Sequence, residues 1–411
     1  MIIIVLGEIN SMSNNTILKN TNFVWFMISR FFMTLGLQIQ VVLLSWHAYS
    51  VSGSALSLAW IGLAEAIPCI TVALFAGDFA DRYSRKKMVL ISMLIVFITA
   101  LAFSSTSDLN TIYFLLIFNG LARGIQSPAI FSLMGDIVEK KDLISAASYN
   151  AVTWNTARIS GGLIAGILLS QIGVTKSFYV EASLIFCSFL GILFITDPPR
   201  LNVTKNTEVI WKRIGEGINF VFKEKIILAA ISLDLLVVLF GDAISLLPIF
   251  VKDILHMGPE ALGWLRSSSA VGSVVMGVLL TQLPRMRHLG KILLFVVSGF
   301  SLAMVGFALS THLYFAMFFL FLSGALDSVS VVIRNTLVQV STPDSMRGRV
   351  ASVNSVFISS SNEIGAAWSG IMASIFGLVP SILMGGGITF CVVVFFSIKA
   401  KKLRNFVLHN V

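Results

Sequence analysis

Ten ionisable residues stand inside long apolar runs: Arg30, Glu65, Arg123, Arg158, Asp234, Asp242, Arg266, Asp327, Arg334 and Glu363. A charge at the centre of a membrane helix costs about 2.5–3.5 kcal/mol on the lenient insertion scale, so such residues face one another or a polar cavity. Two chemistries suit them. Arginines and carboxylates can bind a polar solute between them, and a carboxylate whose pairing changes can take up and release a proton. Other common chemistries lack their parts. Cys69, Cys187 and Cys391 each stand singly in an apolar run, without metal-ligand or disulfide spacing, and read as small buried hydrophobes. The five histidines lie near segment ends or in connections, which leaves neither an H-E-x-x-H metal site nor a nucleophile–base pair at membrane depth. No G-x-x-x-x-G-K-[ST] loop occurs, so this chain is not expected to hydrolyse ATP. An enzyme, a metal site and a resident cofactor are all unexpected.

The charges gain meaning from a repeat. The two halves align without a gap at an offset of 204, pairing Trp60 with Trp264, Lys87 with Lys291, Gly120 with Gly324, Asn150 with Asn354, Gly161 with Gly365 and Gly166 with Gly370. At the same offset Arg30 corresponds to Asp234, Gln38 to Asp242 and Arg123 to Asp327, so one half is cationic where the other is anionic. Arg30, Thr34 and Gln38 lie four apart on one helical stripe, and Asp234 and Asp242 repeat it. The expected substrate and proton-coupling set is Arg30, Gln38, Glu65, Arg123, Asp234, Asp242 and Asp327. The competing reading is a set of structural ion pairs. Asn150 and Asn354 read as ligands or as hydrogen-bonding glue between helices.

The elements that must position these residues follow from composition. Of 411 residues, 56% are hydrophobic and 12% charged, with a mean hydropathy of +0.90. That is half the roughly 25% charge of a soluble domain, too little to coat one in water. Runs of about 20 apolar residues predict twelve spans, near 22–46, 56–80, 88–106, 111–136, 144–170, 178–196, 226–251, 261–282, 291–310, 313–339, 348–374 and 379–398. The expected fold is an all-α integral membrane protein, with twelve transmembrane helices in two pseudo-symmetric six-helix bundles. The expected units are 1–196, a central loop 197–225 and 226–411. The loop opens with Asp197-Pro198-Pro199-Arg200, a helix stop. It then alternates charged and apolar positions (Trp211, Ile214, Ile218, Phe222), as a helix lying on the membrane surface would.

Connections on the N-terminal side of the spans carry 22 of the 29 Lys and Arg residues, and those on the opposite side carry Lys176 and Lys252. The positive-inside rule therefore places both termini and the central loop in the cytoplasm. Trp25, Trp46, Trp60 and Trp264 mark span ends, and the net charge of +9 needs no nucleic acid to explain it. The apolar run Ile2–Leu6 is too short for a cleavable signal, and Met12 is an alternative start.

The connection after span 2, Gly77-Asp78-Phe79-Ala80-Asp81-Arg82-Tyr83-Ser84-Arg85-Lys86-Lys87, resembles the signature G-x-x-x-D-R-x-G-R-[RK] of the major facilitator superfamily, with Ser84 where glycine is usual. Three further segments are similar to the branch containing enterobactin exporters and macrolide efflux pumps. They are Ser29-Arg30, the stretch Thr342-Pro343-Asp344-Ser345-Met346-Arg347-Gly348-Arg349-Val350, and Ser361-Asn362-Glu363-Ile364-Gly365-Ala366. Arg158 to Gly166 resembles the exporters' glycine-proline motif, with Gly162 in the proline position.

The resemblance implies a secondary transporter of the bacterial inner (plasma) membrane in which spans 1, 4, 7 and 10 line a central cavity. It implies export of a bulky, siderophore- or drug-like organic molecule in exchange for protons, by a monomer surrounded by lipid. An uptake permease of the same fold is the alternative, and a membrane enzyme or scaffold a remote one. Gly77, Asp81, Arg82, Arg85 and Lys86 are the expected gating motif, whose contacts would break as the halves rock apart. Gly161, Gly162, Gly166, Gly365 and Gly370 are the expected helix-packing positions.

Overall fold

The computed structural model describes residues 17–82, 84–196, 210–282, 286–343 and 346–407, leaving out some side chains within them, those of 74–82 and 210–214 among them. Several expectations lie outside the described residues: the N-terminal run and Met12, the helix stop at Asp197-Pro198, and the side chains of Asp81, Arg82, Trp211 and Ile214, with Gly77 in the same stretch.

Every long element among the described residues is a helix. Span 1, Thr21–Ser52, starts at Asn20, whose side chain accepts from the amides of Asn22 and Phe23 at 3.1 and 3.2 Å. It stops at Gly53, in the left-handed region at φ 62°. Span 3, Arg85–Ser104, is capped by Ser84, whose hydroxyl accepts from the Lys87 amide at 3.4 Å. Ser84 has φ −63° and ψ 119°, so the backbone there makes no demand for glycine, and the departure from the signature supplies a helix cap. Asp108 caps span 4, Leu109–Ile137, and accepts from both the amide and the hydroxyl of Thr111. These bonds hold its carboxyl below the usual carboxylate range.

Ten helices among the described residues are long and apolar enough to cross a membrane. One of them, Ser145–Leu193, has 49 residues and breaks at Gly173, with φ 76° and ψ 175°. At about 1.5 Å per residue it is more than twice a bilayer core in length, so it is spans 5 and 6. Gly377, the repeat-mate of Gly173, has φ 85° and ψ 166° and separates Arg347–Phe376 from Leu378–Lys399 in the same way. Arg347–Phe376 thus stands where span 11 is expected, although with Ser359-Ser360-Ser361-Asn362-Glu363 it is more polar than the other spans.

The offset of 204 also governs the contacts. A Cβ added to Gly120 of span 4 would collide with the carbonyl oxygen of Glu65, and one on Gly324 with that of Ser269, the repeat-mate of Glu65. Trp60 and Trp264 are half exposed, at 52% and 50%.

In the first half span 1 packs along the helix of spans 5 and 6, and spans 2 and 3 pack on span 4. In the second half span 10 packs on spans 8 and 9, and span 11 on spans 7 and 12. The halves meet along spans 5 and 8 and along spans 2 and 11. Helix Ile210–Lys223 packs on spans 7 and 11 of the second half and buries Val221 against Ile227, Val338 and Val353. It leaves Ile218 and Phe222 exposed on its other side and pairs Glu216 with Arg349 of span 11.

Two expectations are corrected here. Cys187 and Cys391 are exposed on the outer surface of the bundle, where an apolar side chain is satisfied without burial in protein, and Cys69 is half-buried. Span 7 is not one continuous helix. Lys225–Gly241 ends at Asp242, and the chain continues through a short tight turn, Leu247–Ile249 and a widened π-helical turn, Phe250–Ile254.

Candidate functional site

The helices gather the intramembrane charges into two centres, one in each half. In the first, Arg123 of span 4 forms an ion pair with Glu65 of span 2 at 2.6 Å. Asn119, one turn before Arg123, donates through its amide nitrogen to Glu65 at 3.3 Å and to Gln40 of span 1 at 2.9 Å. Spacings of four on span 4 put both donors on one face, as the helical period dictates. Across the interface with the second half, Glu363 of span 11 comes to 4.0 Å of the point where a Cβ on Gly62 would stand. Its charge is felt by Arg123.

In the second centre, Asp234 of span 7 forms an ion pair with Arg334 of span 10, both nearly buried. Arg334 also donates to the carbonyl of Ser330 at 3.4 Å. Asp234, Asp327, Ser330 and Arg334 line one recess, with Phe300 of span 9 as part of its apolar wall. Two of the three acids that the repeat singles out, Asp234 and Asp327, therefore share a pocket. Asp327 also feels the charge of Arg158, on span 5 of the other half.

The remaining expected residues are dispersed. Arg30 donates through Nε to Asn150 of span 5 at 3.3 Å, so its hydrogen-bond partner is the neighbouring helix of its own half and not Asp234. Gln38 lies where spans 1 and 5 touch, because a Cβ on Gly161 would come within 2.5 Å of its Cβ. Asp242 is corrected from a stripe residue to a cap. Span 7 breaks beside it, its carboxylate accepts from the Ile244 amide at 3.0 Å, and its carbonyl accepts from Ser369 of span 11 at 2.6 Å. Broken helices of this kind suit transport sites, because the freed backbone groups need partners at membrane depth. Arg266 of span 8 feels both Asp242 and the like charge of Arg158.

The glycines sit at close approaches. A Cβ on Gly162 would lie 2.8 Å from the Ser267 hydroxyl, and one on Gly166 2.8 Å from the Pro259 carbonyl and 3.1 Å from Gly263. Gly365 abuts Val238, and Gly370 abuts Ala59 and Ala55. The Gly166–Gly263 approach and the Gly370–Ala59 approach are repeat-mates, one on each seam. All lie toward the end of the bundle opposite the termini. At that end Tyr49 of span 1 donates its hydroxyl proton to Asp253 of span 7, and the Lys252 ammonium stands 5.9 and 5.7 Å from the ring centres of Trp46 and Tyr49.

Two of the signature's basic residues, Arg85 and Lys86, make contacts within the first half. Arg85 forms an ion pair with Asp136 at the end of span 4, and Lys86 donates to the carbonyls of Leu193 and Ile195 at 3.2 and 2.6 Å, at the end of span 6. Both contacts tie neighbouring spans of one bundle, which corrects the expectation that they break when the halves separate.

The sequence reading passed over Glu181 of span 6. It is fully buried, and neither carboxylate oxygen has a hydrogen-bond partner. No group of three metal-binding side chains is present among the described residues.

Residues 26–366 match the family model described as Major Facilitator Superfamily. The chain is 22% identical to the staphyloferrin A transporter of Staphylococcus aureus (strain NCTC 8325 / PS 47) over 92% of this chain and 96% of that protein. It is 22% identical to the enterobactin exporter EntS of Shigella flexneri over 75% of each. The crystal structure of the nucleoside transporter NupG superposes with a TM-score of 0.76 at 13% identity, covering 92% of this chain and 99% of that one.

Proposed function

The chain belongs to the major facilitator superfamily, a family of membrane transporters and not of enzymes, and from that premise we propose that it exports a bulky organic molecule, siderophore- or drug-like, in exchange for protons. The observation that carries the reading is the shared recess of Asp234 and Asp327 beside Arg334, with Asp327 also within the electrostatic reach of Arg158 of the other half. An acid that exchanges an arginine partner for a proton as the halves move is the minimum a proton-coupled cycle needs. The Arg123–Glu65 pair supplies a cationic counterpart for an anionic group of the solute. Two of the transporters it resembles are named for siderophores, and one of those two for export. In this reading the units 1–196 and 226–411 rock against each other in the bacterial inner membrane, both termini face the cytoplasm, and 197–225 bridges them.

The test uses inside-out vesicles with enterobactin and staphyloferrin A as probes. An acid lumen drives one of them inward in the wild type. Asp234→Asn or Asp327→Asn abolishes accumulation and leaves downhill exchange. Accumulation only in right-side-out vesicles would make the chain an uptake permease. Wild-type accumulation by both Asn variants would remove these acids from coupling.

A further inference from the structure

Among the described residues of the first bundle, Glu181 is the acid inside a span that none of the contacts described above employs. Span 6 carries it against span 1 at Gly36: a Cβ there would lie 3.7 Å from the Glu181 carbonyl oxygen and 3.1 Å from Ile185. Gln40 is one turn beyond Gly36 on the same face of span 1. The region is shielded from the surface and its hydrogen bonding is incomplete in a complementary way. Glu181, Asn119 and Gln40 are 0%, 0% and 1% exposed. Both carboxylate oxygens of Glu181, Nε2 of Gln40 and Oδ1 of Asn119 lack a partner. An ionised carboxylate in such a place costs several kcal/mol unless a counter-charge or donors meet it.

Among the described residues no cation does: the charge that reaches Glu181 is that of Glu65, on span 2, and it has the same sign. Span 3 carries its charges at its first residues, Arg85 to Lys87, on the terminal side. Span 1 carries Arg30, bonded to Asn150, and His47, three turns beyond Gly36.

Packing does not account for the residue either. The repeat-mates of Gly36 and Glu181 are Phe240 and Gly385, and these also touch, Gly385 against the Phe240 carbonyl. The second bundle thus closes the same crossing with glycine where the first has glutamate.

We propose that Glu181, with Gln40 and Asn119, forms a proton-binding site inside the first bundle, separate from the Asp234–Asp327 recess. The bound proton makes Glu181 a neutral acid that can donate, and Asn119 links Gln40, the member of the site on span 1, to the Glu65–Arg123 pair. An anionic solute that draws Arg123 from Glu65 leaves a second bare carboxylate near Glu181, and the occupancy of the site responds to substrate. The site itself stands on burial and hydrogen bonding, and its place in a transport cycle rests on the antiport reading.

The experiment is infrared difference spectroscopy on the full chain in liposomes, titrated with protons. Wild type shows a carboxylic C=O band, absent from Glu181→Gln and displaced along the pH axis in Arg123→Gln. A wild-type band set that Glu181→Gln leaves intact overturns the proposal, and that result needs no variant to transport. Loss of the band on adding sodium at constant pH also overturns it, assigning the site to a metal cation. If the band is present and proton-driven accumulation fails, the antiport reading falls and the proton site stands.

Discussion

Replacing Gly166 with alanine places a methyl carbon 2.8 Å from the Pro259 carbonyl oxygen, 3.1 Å from the Gly263 Cα and 3.2 Å from the Glu260 Cα. Carbon contacts are comfortable at about 3.5–4.0 Å, so spans 5 and 8 must part by roughly half an ångström. All three obstacles are backbone atoms, which no rotamer change can remove. Overpacking of this kind costs about 1–3 kcal/mol. The cost arises only while the halves are closed at this end, so it is differential between access states and shifts their ratio by about 5–150-fold toward opening there. Gly370→Ala on the other seam meets Ala59 Cβ at 2.9 Å and the Ala55 carbonyl at 3.1 Å. The two seams share no partner, so the double variant adds to about 2–6 kcal/mol. Spin labels at Ser107 and Thr311, exposed repeat-mates in connections at that end, report the separation by double electron–electron resonance. Each single variant raises the long-distance population, and the double raises it further. Unchanged distances in well-folded single and double variants would refute the idea that these glycines set the closed state.

Arg334→Ala lowers thermal stability in detergent by more than Arg123→Ala. The Arg334–Asp234 side chains are 12% and 11% exposed, and losing one partner of a buried pair costs about 3–5 kcal/mol. Arg123 is 35% exposed and Glu65 keeps the Asn119 hydrogen bond, for a loss of about 1–3 kcal/mol. Equal losses would contradict the ranking. A cysteine at position 405 resists an impermeant thiol reagent in sealed cells and reacts after permeabilisation, and labelling from outside would reverse the orientation.

The spans, the repeat and the glycine seams were legible because each depends on a local property: run length, a fixed offset, or a missing side chain. The pairing of charges was not. Arg334 reads as peripheral in a list of charges, yet its partner Asp234 lies 100 residues earlier on a different helix. The break at Asp242 hides inside an apolar run whose hydropathy is that of any span, and Pro248 beyond it was the available warning. Glu181 is hard to see in the sequence because the apolar run of span 6 reads as starting at 178, which leaves it near an end. Gly173 starts that span earlier and carries Glu181 two turns inside.

Tyr49 and Asp253 are separated by 204 residues, so the two partners of this contact are each other's repeat-mates. Under a two-fold operation a residue meets its own copy only on the dyad itself, whereas every off-axis contact is generated twice. The seam glycines illustrate the second case: damage to one side leaves a duplicate on the other. The tyrosine–aspartate contact has no duplicate, and a perfectly symmetric ancestor could not have made it, since it would have set tyrosine against tyrosine or carboxylate against carboxylate. A donor facing an acceptor at that point became available only once the two copies had ceased to be identical. The dyad is thus where divergence of the halves added something that duplication could not.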